Sequence, residues 1–139
     1  MYNLRKELGK EFVENTINTL HENGHTLTDL RASLGCIRLF FENVPNEYIE
    51  LYINAPDDLL FNRCAVYIEK RFGLHYASTL NKLFNRICGI FENTKAKYSA
   101  NETFLELFRI LYKQKKTIEE ISQHTPKLNT RRSKAVSFL

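Results

Sequence analysis

Apolar residues recur along this chain at helical spacing. Leu4, Leu8, Phe12, Val13, Ile17 and Leu20 fall on one face, with Lys6, Lys10, Glu11 and Glu14 mostly opposite. This predicts one helix, capped by Asn3 and stopped at Asn23-Gly24, where glycine takes a left-handed cap cheaply. Thr26 and Asp29 then resemble a capping box, opening a second helix with the stripe Leu27, Leu30, Leu34, Ile37, Phe41 and Val44. Leu39 and Phe40 widen that stripe, so its C-terminal half is expected to be buried on more than one side. Pro45 ends it.

The segment from Asn46 to Ala55 contains YIELYI, rich in β-formers. A lone strand would leave its ladder groups unpaired, so a short helix is expected, capped by Asn46 and stopped by Pro56. A fourth helix opens at Asp57-Asp58, buries Leu60, Cys64, Tyr67, Ile68 and Phe72, and stops at Gly73. A fifth runs from about Ala77 to Glu92. The capping box Ser99-x-x-Glu102 opens a sixth, burying Phe104, Leu107, Phe108 and Leu111. A second box, Thr117-x-x-Glu120, predicts a short seventh helix with Ile118 and Ile121, ended by Pro126.

These elements predict an all-α, single-domain bundle of about six or seven short to medium helices. The bundle occupies residues 1–125, and a basic C-terminal tail follows at 126–139. At 139 residues, 43% of them hydrophobic, the chain buries a core without help from metal or disulfides. FFENV at Phe40–Val44 and IFENT at Ile90–Thr94 look alike, but five residues are too few for a repeat. No apolar run spans a bilayer, and the amphipathic opening MYNLRKELGKEF predicts no cleaved leader and no membrane partner. Cys36, Cys64 and Cys88 are odd in number, far apart and set among apolar residues. They are expected as buried thiols in a reducing, cytoplasmic compartment.

His21-Glu22-Asn23-Gly24-His25 matches H-E-x-x-H, in which two His one helical turn apart bind zinc and the Glu activates a metal-bound water. HENGH resembles the start of a matrixin-type zinc-protease motif. That pattern continues with Gly and a third His, where this chain has Thr28 and Arg31. A thermolysin-like third ligand would be a Glu about twenty residues on. Glu47 stands 22 residues after His25, with nothing to fix its geometry. The helix stop at Asn23-Gly24 also moves His25 off the His21 face. Two exposed histidines at a helix corner are therefore expected, with no metal and no cofactor. A zinc-dependent hydrolase is the remotest of three functional readings.

Thr26–Val44 has helix-turn-helix spacing with Gly35 at the turn. Arg31 stands where a small residue is needed, and the would-be recognition helix, Ile37, Arg38, Leu39, Phe40 and Phe41, presents a mostly apolar, core-like surface. An ordinary core helix is expected. Residues 117–139 match the same motif in part, with Ser122 in the small position and Thr125, Lys127 and Arg132 where apolar residues belong. The ending Ser137-Phe138-Leu139 resembles a PDZ-binding terminus.

The net charge of +4 is unevenly spread. Residues 1–75 carry 8 Lys+Arg against 11 Asp+Glu, a balance of −3. Residues 107–139 carry 8 against 2, a balance of +6. Arg109, Lys113, Lys115, Lys116, Lys127, Arg131, Arg132 and Lys134 thus form a candidate basic patch, suited to phosphates or to an acidic protein surface. No phosphate loop, dinucleotide turn or nucleophile elbow occurs, so no enzymatic activity is expected. The leading expectation is a small intracellular helical regulator that binds another protein. The alternative is a nucleic-acid-binding regulator using the same basic residues. Ten Phe and seven Tyr are many for one small core, and a surplus on the surface would favour a homodimer.

Overall fold

A computed structural model describes residues 2–55, 59–73 and 97–124. Six helices occur among them: α1 Leu4–Leu8, α2 Lys10–Glu22, α3 Leu27–Asn43, α4 Asn46–Tyr52, α5 Leu59–Phe72 and α6 Ala100–His124. The described residues contain no strand, so the chain is all-helical, as the apolar spacing predicts. No helix among them is long and apolar enough to cross a membrane. The expected opening at Asp57-Asp58, the helix at 77–92 with its IFENT segment, Cys88, and the stop and tail from Pro126 onward lie outside the described residues.

α3 and α6 form the main helix pair. α1 and α2 lie against α6, α2 also meets α3, and α5 lies against α3 with α4 beside it. Rings fill the centre. Phe40 of α3, Phe61 of α5 and Phe104 of α6 are fully buried, with centroids 5.0–6.0 Å apart in edge-on arrangements. Phe108 continues the stack to Phe41 at 5.3 Å. Each such ring contributes about 1.5–3 kcal/mol by leaving water. Cys36 and Cys64 are buried. Burial pushes the Cys64 thiol up to about 12, so it behaves as a small hydrophobe.

Three boundaries differ from the sequence expectation. The first predicted helix is two, because Gly9 at φ +97° turns the chain between α1 and α2. Asn3 caps α1 as expected, its Oδ1 accepting from the Lys6 amide at 3.1 Å. Asn46 does not cap α4. Pro45 takes that position, and the Asn46 side chain reaches α6 instead.

The seventh helix does not start at Thr117. α6 runs unbroken to His124, and the Thr117 hydroxyl donates to the Lys113 carbonyl one turn back. The stripe Phe104, Leu107, Phe108, Leu111, Lys115 and Ile118 keeps its period through the supposed junction, with no Gly or Pro to interrupt it. α3 is likewise continuous through Gly35 and buries Ile37, Leu39, Phe40 and Phe41, as a core helix does.

Candidate binding surfaces

The HENGH segment forms the corner between α2 and α3. α2 ends at Glu22, and Gly24 at φ +114° turns the chain. The backbone turn separates the two histidines. His21 Nδ1 donates to the His25 carbonyl at 3.0 Å. The His25 ring stacks on Tyr98, with centroids 4.1 Å apart and planes 10° apart, and its Nδ1 lies 2.7 Å from Thr103 Oγ1. His25 is therefore buried, contrary to the expectation of two exposed histidines. Burial pulls its pKa below 6.5, partly opposed by the carboxylates of Glu106 and Glu102. Among the described residues no group of three or more His, Cys, Asp or Glu is arranged to hold a metal ion. This corner is a clasp joining α2–α3 to the start of α6.

The basic residues of α6 meet different surroundings. Arg109 sends Nε to the Ile53 carbonyl at 3.0 Å and Nη2 to the Ala55 carbonyl at 3.4 Å, closing the end of α4. Lys116 pairs with Glu50 of α4 at 3.0 Å. The Tyr112 hydroxyl donates to that carboxylate at 2.7 Å and, with Lys116, holds the Glu50 pKa down. Lys115 is buried. Its ammonium donates to Glu119 Oε2 at 2.6 Å and Asn46 Oδ1 at 2.8 Å, and lies 5.6 Å from the Phe41 ring centre. Lys113 is exposed. Lys127, Arg131, Arg132 and Lys134 lie outside the described residues, as do the PDZ-like ending and most of the second helix-turn-helix segment. Three of the four described residues of the candidate patch thus tie α4 to α6.

A further surface lies on α4 and α5, where the sequence reading placed no site. Arg63, Val66, Tyr67, Lys70 and Arg71 recur at the three- and four-residue spacing that places them on one face of α5. With Tyr48 of α4 they line a depression of about 400 Å³. Tyr48 packs on Tyr67 at 4.9 Å and on Tyr52 at 5.4 Å, and the Arg63 guanidinium lies 5.5 Å from the Tyr52 ring centre. Arg63, Val66, Lys70 and Arg71 are exposed, and among the described residues no acid lines the depression. The signal was present in the sequence as R-x-x-V-Y-x-x-K-R, read only for its buried face.

No family model, curated protein or solved structure matches the chain. What the surface can do is therefore read from its own chemistry. Three cations beside packed tyrosines and an exposed valine combine the residue types that carry protein–protein contacts: Tyr and Arg anchors with apolar area between them. The rings pack against one another at tilts of 51–57°, and Arg63 covers Tyr52. They do not form a row of open faces on which successive bases stack.

Proposed function

We propose that the protein is a small, non-enzymatic helical regulator that works by binding another protein. The α4–α5 surface receives an acidic segment of that partner. One observation carries the reading: Arg63, Lys70 and Arg71 converge with Tyr48 and Tyr67 around a single depression that no acid lines among the described residues. Carboxylates of the partner would meet the cations at the rim, and an apolar side chain would seat against Val66 and the tyrosines. The buried thiol of Cys64, held in no disulfide, supports action in a reducing, intracellular compartment.

The test is fluorescence anisotropy with an acidic peptide rich in Glu and carrying one Leu and one Tyr, run beside single-stranded and duplex oligonucleotides. Peptide binding is expected to weaken with salt and to fall at least about tenfold in the Arg63→Glu/Lys70→Glu variant, since exposed ion pairs contribute about 0.2–1 kcal/mol each and reversal adds repulsion. Tighter binding of an oligonucleotide than of the peptide overturns the proposal in favour of the nucleic-acid reading. Peptide binding untouched by the double variant overturns the assignment of the surface.

A further inference from the structure

The cations of the α4–α5 depression fall into two groups along α5. Arg63 stands seven residues before Lys70 and eight before Arg71. At 1.5 Å per residue the groups lie about 10–12 Å apart along the helix axis. Val66 and Tyr67 occupy the interval, and Tyr48 of α4 packs on Tyr67 at 4.9 Å. The depression thus presents one cation, an apolar and aromatic centre, and then a pair of cations.

Among the described residues no carboxylate pairs with any of the three. The cations in ion pairs there are Arg5, Arg38, Lys115 and Lys116. Arg63 rests instead against a ring, its guanidinium 5.5 Å from the Tyr52 centre, which holds that pole toward α4. Lys70 and Arg71 stand together in the last turn of α5. Two unmatched positive poles therefore flank one apolar seat.

We infer that this surface selects an acidic segment by spacing: an extended stretch of the partner with the pattern acid–x–apolar–x–acid. The inference rests on the reading of α4–α5 as an acidic-segment site and adds which segment fits. An extended chain rises about 3.3 Å per residue and alternates its side chains between two faces. Positions i, i+2 and i+4 therefore share a face and span about 13 Å, which the flexible arms of Arg, Lys and Glu match to the poles. A helix would need acids at i and i+7, eight ordered residues in place of five. So short a helix is marginal by itself, and every further ordered residue costs conformational entropy. Either acid can meet either pole, so spacing is selected and chain direction is not.

The probes are fluorescent peptides of about twelve residues with blocked termini, so that Glu supplies their only charge. The first carries Glu-Thr-Leu-Thr-Glu in a Ser/Thr background. The second keeps Leu two residues from one Glu and moves the other to i+8, about 26 Å away when extended and beyond the second pole. The third sets Glu at i and i+7 with Leu at i+4 in an Ala-rich, helix-favouring background. The first is expected to bind about three- to fivefold tighter than the second, the effect of one exposed ion pair. Exchange of its Leu for Ser is expected to weaken it at least about fivefold. Arg63→Gln, at an exposed position, is expected to bring the first two peptides to equal affinity, with circular dichroism checking that the variant is folded. Equal binding of the first two peptides by the native protein, lost in Arg63→Glu/Lys70→Glu, overturns the spacing and leaves the acidic-segment reading standing. A preference that survives Arg63→Gln overturns the two poles, and an unchanged affinity without Leu overturns the apolar seat. Tightest binding of the third peptide overturns the extended form in favour of a helix. No binding of any of them up to about 1 mM overturns the inference together with the reading beneath it.

Discussion

Lys115→Met separates the two roles open to the basic residues of α6. Methionine keeps an apolar stem against Phe41 and deletes the ammonium. The bonds lost are those to Glu119 at 2.6 Å and Asn46 at 2.8 Å. A hydrogen bond to a charged group contributes about 1.5–3 kcal/mol. Against this, removing a buried ammonium recovers a desolvation cost of several kcal/mol. The Glu119 side chain is 41% exposed, so its carboxylate returns to water, and it still accepts from Asn46 Nδ2 at 2.8 Å. The balance is a net loss of about 1–2 kcal/mol, or about 3–8 °C in melting midpoint at this chain length. Lys115→Glu, which sets a second carboxylate beside Glu119, is expected to cost more than about 3 kcal/mol. Urea and thermal unfolding followed by circular dichroism measure both. Acidic-peptide binding by the folded Met variant is expected to stay within about twofold of native, because Lys115 faces α4 and not solvent. A Met variant with native stability but weakened peptide binding would refute this account and return Lys115 to the binding surface.

Further outcomes follow from the same geometry. The His25 pKa is lowered on folding, so the unfolded chain takes up a proton first as pH drops; stability is full above about pH 6.5 and declines below it. Urea unfolding at pH 7.5 and 5.5 checks this, and His25→Asn is expected to show a shallower decline; parallel declines would exclude His25 as the source. Phe104→Ala empties the meeting point of Phe40, Phe61 and Phe108 and is expected to cost about 3–5 kcal/mol in denaturant unfolding. Gly24→Ala forces a side chain onto a residue at φ +114° and within 2.8 Å of the Lys97 side chain, with an expected loss of about 1–2 kcal/mol by the same measurement.

The helical stripes were legible because each reports which side chains leave water. Leu30, Ile37 and Phe41 of α3, and Phe104, Leu107, Phe108 and Leu111 of α6, are buried as their spacing requires. Local chemistry was legible where it has one use: Asn3 caps α1, and Ser99 and Glu102 exchange the two bonds of a capping box at 3.0 and 2.8 Å. It misled where a residue has two uses. Thr117 and Glu120 fit a helix start, yet they fit a helix interior equally when the apolar period runs through them. Gly9 lies inside the amphipathic run that predicted one helix, and its positive φ makes it a corner.

The site was less legible because a linear count of charge does not say where a cation finds its partner. Arg109 and Lys116 find partners in α4 and the turn after it, more than fifty residues earlier, as the Ile53 carbonyl and Glu50, while Lys115 divides its bonds between Asn46 of α4 and Glu119 of α6 itself. Packing thus engages basic residues of the second half, and one of them, Lys116, is matched by a carboxylate of the first, Glu50. The opposite holds on α5. The balance of −3 over residues 1–75 hides Arg63, Lys70 and Arg71, which stand together on a surface that no acid lines among the described residues. A basic patch is a property of which charges remain unmatched after packing, and in the described residues that condition is met at α4–α5 more fully than along α6.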